Sequence, residues 1–405
     1  METICYICGK NDRIMIEATL YSYMNEMLRR ITTKFYRYQF SLIDWESRLV
    51  GIIGPRGVGK TTMMLQYIKN NINEGQHLYI SADNIYFSNH SLVELADSFV
   101  KEGGSHLYID EVHKYKEWLR ELKQIYDVHP DLRITFTGSS VLDILQGQSD
   151  LSRRALMYRM QGLSFREYLE MKYDIVSSSY SLKDIINNKV QLPELEHPPP
   201  MFHEYLAHGY YPFAEEGGFD VRMQQIISQT VEVDIPQYAD MKATTARKLK
   251  RMLAVISSLA PFKPNLSNMA VEIGVTKGNV PDYLTYLEKA GMIGQLWDDT
   301  QGMRGLGKVE KVYLDNPSLA TVLASGTPDI GNIRETFFYN QMRVNNEVLS
   351  SRVSDFTIDK YTFEVGGRNK GRKQIKDVDN AFIVKDDIEY GHGNVIPLWH
   401  FGFNY

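Results

Sequence analysis

Short apolar runs of strand length follow one another up to about residue 140, with helical segments between them. The runs are Leu49–Ile53, His77–Ile80, His106–Ile109 and Arg133–Thr137, and Thr61–Asn71 is the first helical segment between them. Parallel strands need long crossover connections, which are usually helices. The alternation therefore predicts an α/β fold with a parallel sheet that is covered on both faces.

The rest of the chain has a different pattern. A helix is predicted before the sheet, from Ile14 to Tyr36, and a helical, acidic segment extends from Gln161 to Tyr173. After a loop rich in Ser and Asn that closes with three prolines, Met201–Ser325 is mostly helical. The last part, Ile333–Tyr405, combines a helix with several short strands. The loop with the prolines is the expected domain boundary.

Length and composition limit the class of protein. With 405 residues the chain is too long for one ordinary core, so two or three domains are expected. Hydrophobic residues make up 43% and charged residues 23%, as in soluble globular proteins. The net charge of −5 argues against a protein that coats nucleic acid, although local basic patches stay open. No long apolar run and no signal-peptide pattern is present, so we expect a cytoplasmic protein without a membrane partner.

The two cysteines, Cys5 and Cys8, have a Cys-x-x-Cys spacing. Zinc would need two further ligands, and no Cys or His pair lies close by in the sequence. A thioredoxin-like site would need a strand before the pair and a helix after it. We therefore expect two thiols without a function.

The first apolar run leads directly into a glycine-rich loop with the sequence GPRGVGKT. It matches the pattern G-x-x-x-x-G-K-[ST] and has the required position, after a strand and before a helix. Backbone N–H groups of such a loop turn towards phosphate oxygens, and the helix N-terminus adds its dipole. We expect the loop to bind ATP. Lys60 would contact the β- and γ-phosphates, and the Thr61 hydroxyl would ligate Mg²⁺. The predicted nucleotide-binding residues are Gly54, Pro55, Arg56, Gly57, Val58, Gly59, Lys60, Thr61 and Thr62.

Two carboxylates, Asp110 and Glu111, follow the third apolar run. Acids commonly follow strands, but here they lie downstream of a complete phosphate-binding loop. Asp110 is then expected to hold Mg²⁺, and Glu111 to orient and deprotonate the attacking water. The glutamate favours hydrolysis over simple nucleotide binding.

The fourth apolar run ends in polar residues, of which Ser139 or Thr137 is expected to contact the γ-phosphate or its water. A serine in this position can equally cap the helix that follows. Charge grows on the γ-phosphate during transfer, so an arginine often contributes to catalysis. Arg153, Arg154 and Arg159 follow, and Arg154 is the preferred catalytic candidate. A solvated basic face is the alternative.

Four segments, GPRGVGKT, YIDEVHK, FTGSS and LSFREYL, together resemble the AAA-type ATPase family of archaea and bacteria. In that family an ATPase core precedes a C-terminal domain of the DUF4143 type. The resemblance is strong over the first 170 residues and weaker beyond. It implies an ASCE-type P-loop NTPase core, with the acid-bearing strand between the P-loop strand and its neighbours. It also implies a winged-helix module and a nuclease-like α/β terminus.

The helical half contains a winged-helix pattern that is independent of this resemblance. A first helix is followed by a short helix at Leu266–Ile273, a turn at Gly274, and a helix that Thr276 caps and that extends to Lys289. A strand pair then ends near Leu314. This order is that of a helix-turn-helix with a β-wing. The charges on its second helix nearly cancel, so contact with DNA and contact within the chain both stay open.

The last part resembles a restriction-endonuclease-like domain, in which carboxylates bind Mg²⁺ beside a lysine. A helix begins near Arg334 and Glu335, and short strands carry Asp355, Asp359 and Glu364. Gly366 occupies the position of the lysine in a Glu-x-Lys motif that would begin at Glu364. Lys370 or Lys373 could supply the lysine instead. We therefore expect a degenerate fold without nuclease activity. Residues 360–376 hold six Lys or Arg and one Glu, and they can bind a phosphate backbone or an acidic partner, or be solvated.

These patterns predict a Mg²⁺-dependent ATPase that drives or gates a winged-helix and nuclease-like region acting on DNA. The expected parts are a helical segment 1–45, the ATPase core 46–175, a helical linker 176–245, the winged-helix domain 246–325 and the nuclease-like domain 326–405. DNA would bind the winged-helix module or the basic stretch 360–376, and further copies of the chain are another expected partner. The alternative is a STAND-like signalling or assembly switch with ATP-controlled oligomerisation and no nucleic-acid substrate.

Overall fold

The computed structural model describes residues 18–71, 76–139, 151, 153–193, 196–239, 241–298, 308–324 and 327–405. The chain divides into two compact units, Met1–Met160 and Gln161–Tyr405. The five-part division expected from the sequence is finer and stays a prediction. Cys5 and Cys8 lie outside the described residues.

The first unit is built around a five-stranded parallel sheet in the order β2–β3–β4–β1–β5. Every residue of β1, β2 and β3 is buried, as expected for strands that are covered on both faces. The predicted α/β fold with a parallel sheet is confirmed. The acid-bearing strand β3 does not adjoin the P-loop strand β1, because β4 lies between them. The strands are β1 (Leu49–Gly54), β2 (His77–Ser81), β3 (His106–Asp110), β4 (Arg133–Ser139) and β5 (Leu156–Arg159).

Helix α1 (residues 18–30) precedes the sheet. The helices between its strands are α2 (Lys60–Asn71), α3 (Leu92–Lys101) and α4 (Trp118–Val128). The predicted extension of the first helix to Tyr36 is wrong, because the chain leaves the helical conformation after residue 30. The amide of Gln66 on α2 donates to the carbonyl oxygens of Thr32 and Phe35 at 2.9 and 2.8 Å. Those carbonyls are therefore satisfied without helical partners.

The second unit begins with helices. They are α5 (Phe165–Tyr173), α6 (Leu182–Ile186), α7 (Pro198–Glu204), α8 (Phe219–Ser228), α9 (Ile235–Tyr238), α10 (Ala243–Leu259), α11 (Leu266–Ile273), α12 (Val280–Lys289), α13 (Pro317–Leu323) and α14 (Ile330–Met342). Two π-helical turns, Tyr205–Gly209 and Gln229–Asp234, continue α7 and α8. No helix in the described ranges is both long and apolar enough to cross a bilayer.

Helices α10, α11 and α12 are followed by the antiparallel strands β6 (Ile293–Trp297) and β7 (Val309–Leu314). The predicted order of elements is present, while its identity as a winged-helix domain stays a prediction. Thr276 precedes a 3₁₀ turn, Lys277–Asn279, that leads into α12 at Val280. Its hydroxyl donates to the side chain of Asn279 at 2.6 Å and does not accept a backbone N–H of the helix. Pro281, which lacks an N–H, favours a helix start at this point.

A second, mixed sheet closes the chain, in the order β12–β11–β10–β9–β8. Its strands are β8 (Leu349–Ser350), β9 (Phe356–Ile358), β10 (Tyr361–Gly366), β11 (Ala381–Lys385) and β12 (Val395–Pro397). Strands β10, β11 and β12 are parallel, and β8 to β10 form an antiparallel meander. The fully buried ring of Phe338 on α14 contacts Phe356 of β9 and Phe363 of β10 and thereby joins α14 to this sheet.

Candidate functional site

The glycine-rich loop joins β1 to α2. Gly57 and Gly59 have φ angles of 80° and 95°, a left-handed conformation that glycine adopts without strain. Helix α2 begins at Lys60, so the unbonded N–H groups of its first turn face the loop. Buried Arg37 donates to the carbonyl oxygen of Val58 at 2.5 Å and supports the loop from below. Nothing in the local sequence pattern indicates that role for Arg37.

The ammonium group of Lys60 lies inside the loop. It donates to the carbonyl oxygens of Gly54 and Pro55 at 2.9 and 2.8 Å. Burial lowers the pKa of Lys60 to about 8, while the charges of Glu111 and Asp110 act in the opposite direction. A phosphate placed in the loop would add a strong acceptor for this ammonium group.

The two predicted metal ligands, Thr61 and Asp110, are in contact. The Thr61 hydroxyl lies 3.0 and 2.9 Å from the two carboxylate oxygens of Asp110. Neighbouring ligand oxygens around Mg²⁺ lie about 2.9 Å apart, because the ion binds at 2.0–2.1 Å with octahedral geometry. These residues therefore fit a Mg²⁺ ion. The Tyr79 hydroxyl also donates to Asp110 at 2.9 Å, a contact that sequence reasoning missed because Tyr79 lies within an apolar strand.

Thr137 of β4 connects the two acids. Its hydroxyl donates to Asp110 and accepts the backbone N–H of Glu111 at 3.0 Å. Glu111 itself has a left-handed backbone with a φ of 50°. Burial raises the pKa of the Glu111 carboxyl, and the guanidinium of Arg56, 3.6 Å away, lowers it in part. The structure thus brings together the loop, both acids and the end of β4.

Ser139 contacts a residue that sequence reasoning missed, His113. The Ser139 N–H donates to Nδ1 of His113 at 3.3 Å. Burial, then the charge of Arg56, lowers the pKa of His113 to about 2, so the ring is neutral. Its other nitrogen, Nε2, lies 3.3 Å from a guanidinium nitrogen of Arg56 and 4.0 Å from Oε2 of Glu111. A neutral imidazole has one acceptor nitrogen, so the ring can accept from either the Ser139 N–H or Arg56, but not from both.

The preferred catalytic arginine, Arg154, is not brought to the loop within the chain. It forms an ion pair with Asp127 at 3.1 Å and lies 6.0 Å from the ring of Tyr126. Arg48, which directly precedes β1, stacks on the same ring at 3.8 Å. Arg154 is therefore at the amino end of β1, whereas the loop is at the carboxyl end, and six strand residues span roughly 20 Å. Arg159 is exposed at the carboxyl end of β5.

The second unit contains the predicted carboxylate cluster, formed by Glu335, Asp355 and Glu364. The Lys311 ammonium lies 3.0 Å from Glu335 and 3.5 Å from Asp355. Burial, then the charge of Glu335, raises the pKa of Asp355 to about 6. A lysine ammonium thus stands between two carboxylates that would hold a metal ion in a nuclease-like site. The residues do not fit an open metal site, and we derive no nuclease step from them.

Lys370 substitutes for the side chain that is missing at Gly366. A Cβ atom on Gly366 would lie 2.6 Å from Cδ of Lys370, and the Lys370 ammonium pairs with Glu364. Lys373 is exposed instead. Asp359 was expected among the site carboxylates, but it lies in the turn between β9 and β10, with a φ of 52°.

Two parts of the chain match described families. Residues 46–169 match the AAA domain, and residues 200–329 match DUF8612, a domain of unknown function. The DUF4143-type domain implied by the sequence resemblance is not confirmed, because DUF8612 is matched instead.

One relative and two solved structures complete the comparison. An uncharacterized protein of Methanocaldococcus jannaschii is 26% identical over 275 residues, which cover 62% of this chain and 57% of that protein. The structure of the Aeropyrum pernix ORC1 protein in complex with DNA is 13% identical, with a TM-score of 0.30, and covers 75% of this chain and 91% of that one. AMPPCP-bound DnaA from Aquifex aeolicus is 14% identical, with a TM-score of 0.23, over 66% of this chain and 87% of that one. TM-scores this low do not indicate a shared function. The match to the AAA domain covers the loop, both acids and the sheet that carries them.

Proposed function

We propose that the first unit hydrolyses ATP in a Mg²⁺-dependent reaction and thereby drives or gates the helical and α/β parts of the second unit. The observation that supports this best is the convergence of Thr61, Asp110 and Glu111 beside the phosphate-binding loop. A loop alone would suit a protein that only binds nucleotide. A half-buried carboxylate, Glu111, next to the metal ligands adds a base for water attack.

Each residue has a separate task in this reaction. Lys60 and the backbone N–H groups of the loop and of the first turn of α2 bind the phosphates. Thr61 and Asp110 would hold Mg²⁺, which supplies positive charge to the β- and γ-phosphate oxygens. Glu111 orients the water and takes its proton, and its raised pKa makes it a stronger base than an exposed glutamate. Ser139, at the end of β4, is placed by its N–H bond to His113 and remains the candidate for contact with the γ-phosphate.

Arg154 would act on a nucleotide held by another copy of the chain. Within one chain it lies at the amino end of β1, whereas the loop lies at the carboxyl end, and it pairs with Asp127. An arginine supplied by a neighbouring subunit can stabilise charge on the γ-phosphate. This proposal requires oligomers, and a chain that hydrolyses ATP as a monomer would contradict it.

Arg56→Gln is expected to move the acid limb of the pH profile of ATP turnover to higher pH. Arg56 lowers the pKa of Glu111, so its removal raises that pKa further, and the base is protonated at a higher pH. The measurement is kcat between about pH 5 and pH 8. Arg56→Lys should restore part of the shift, and exposed Arg120→Gln is the matched control. An unchanged acid limb in Arg56→Gln would separate Arg56 from the base.

The second candidate is an assembly switch. The position of Arg154 at the amino end of β1 favours it, because Arg154 could then reach a nucleotide only in another copy of the chain. ATP would then control oligomerisation, turnover would be slow, and nucleic acid would have no effect. The DNA-linked proposal rests instead on the exposed basic residues of 360–376, namely Lys360, Arg368, Arg372, Lys373 and Lys376.

One experiment separates the two candidates. ATP turnover is measured with and without DNA or RNA, and the mass of the particle is determined with and without ATP. Stimulation by DNA that falls with rising salt supports the first candidate, because phosphate contacts release counterions. Nucleotide-dependent oligomers without DNA affinity support the switch. Absence of any ATP turnover under all these conditions contradicts the hydrolysis proposal itself.

A further inference from the structure

We propose that His203, Asp386 and Asp387 of the second unit form a binding site for a zinc-like divalent cation. His203 lies on α7, and the two aspartates directly follow the carboxyl end of β11. Their ligand atoms all lie within 4.8 Å of one another. This site is separate from the nucleotide loop and does not depend on ATP hydrolysis.

The distances match a tetrahedral ion. Nε2 of His203 lies 3.4 Å from Oδ1 of Asp386 and 3.2 Å from Oδ1 of Asp387. Zinc binds imidazole nitrogen and carboxylate oxygen at about 2.0–2.2 Å, which places ligand atoms of a tetrahedron about 3.3–3.5 Å apart. The three side chains therefore need little movement to accept the ion. An imidazole ligand favours zinc, cobalt or a similar metal over Mg²⁺, which prefers oxygen.

Arg334 orients both carboxylates. Its Nε donates to Oδ2 of Asp386 at 2.7 Å, and its Nη2 donates to Oδ2 of Asp387 at 3.2 Å. The remaining oxygen of each carboxylate is thereby directed at the imidazole. Hydrogen-bonded carboxylates of this kind are typical of metal sites, where the outer contacts fix the ligands. One guanidinium and two carboxylates leave one net negative charge beside the imidazole, which favours a cation.

A cavity of about 390 Å³ adjoins the cluster. His203, Arg334 and Asp387 line it at the polar end, and side chains such as Leu206, Ile330 and Ile333 supply apolar walls. Three protein ligands and an open fourth position are the arrangement of catalytic rather than structural zinc sites. The ligand class that fits is a small, largely apolar molecule that offers one oxygen or nitrogen to the metal.

A metal-free ion cluster is the competing interpretation, because a protonated His203 could simply donate to the aspartates. The chain offers a matched control for it. His197 pairs with Glu389 and is, like His203, a partly exposed histidine beside a carboxylate. Removing either histidine therefore removes one such contact, but only His203 belongs to the proposed site.

The test is a Co²⁺ titration of the nucleotide-free chain, followed by visible absorption, in a background of Cys5→Ser and Cys8→Ser that removes competing thiols. We expect one equivalent of Co²⁺ with the intense absorption of a tetrahedral site, displaced by Zn²⁺. His203→Ala and Asp387→Asn should each weaken binding by about 100-fold or more, and His197→Ala should not change it. Thermal unfolding of each variant checks that it is folded.

Two results would overturn the proposal. One is the absence of saturable Co²⁺ binding to the folded starting chain. The other is equal binding by His203→Ala, Asp387→Asn and His197→Ala, which would place the metal elsewhere and leave the cluster as an ion pair only.

Discussion

Glu111→Gln is expected to lower the rate of ATP hydrolysis by about 100- to 10,000-fold while ATP binding stays nearly unchanged. Glutamine keeps the size of the side chain and its ability to hold a water molecule, but it cannot take the proton. The backbone N–H of residue 111 still donates to Thr137, so the left-handed turn after β3 is preserved. Turnover under saturating ATP and affinity for a fluorescent ATP analogue are the two measurements.

The control for this prediction is Glu117→Gln. Glu117 is exposed just before α4, and its loss should change neither measurement. If Glu111→Gln retained the full rate, Glu111 would lose its role as the base. If it lost both rate and ATP binding, the carboxylate would be needed to build the site rather than to activate water.

Lys60→Ala is expected to weaken ATP binding by about 10- to 150-fold, because hydrogen bonds to charged groups contribute about 1.5–3 kcal/mol each. The ammonium group donates to two loop carbonyls and is the cation predicted to contact both the β- and the γ-phosphate. Its loss removes that charge from the pocket. Isothermal titration with ATP and Mg²⁺ gives the affinity directly.

Lys101→Ala is the matched control, since Lys101 is exposed at the end of α3. The alanine at position 60 also leaves the carbonyls of Gly54 and Pro55 without their donor. We therefore expect a lower unfolding temperature for Lys60→Ala, and binding is compared well below it. Wild-type affinity in a folded Lys60→Ala variant would contradict the assignment of the phosphate site.

The loop and the acid pair could be predicted because short-range spacing defines them. Strand, loop and helix are contiguous at Gly54–Thr61, and the acids directly follow a strand. The contacts of Thr137 with both acids depend on the register of β3 and β4, in which Phe136 pairs with Ile109. No local pattern contains that register.

Long-range placement explains the other differences. Arg154 follows β4 in the sequence, but its ion pair with Asp127 is formed at the amino end of β1, away from the phosphate-binding loop. In the second unit, glycine occupies position 366, where a Glu-x-Lys motif would have its lysine. The side chain of Lys370 lies over Gly366 and pairs with Glu364. Lys311 reaches the same cluster from β7, many residues earlier. Contacts of this kind depend on tertiary packing rather than on spacing.

The hydroxyl of Thr137 also sets a limit on how this position can vary. It has a single proton, which Asp110 receives, and its oxygen accepts the N–H of Glu111. Valine has the same shape but would remove one of the donors to Asp110, which keeps Thr61 and Tyr79, and would leave the N–H of Glu111 without its acceptor, whereas serine would keep both bonds. Among natural variants of this chain, residue 137 should therefore interchange between threonine and serine far more readily than between threonine and any apolar residue.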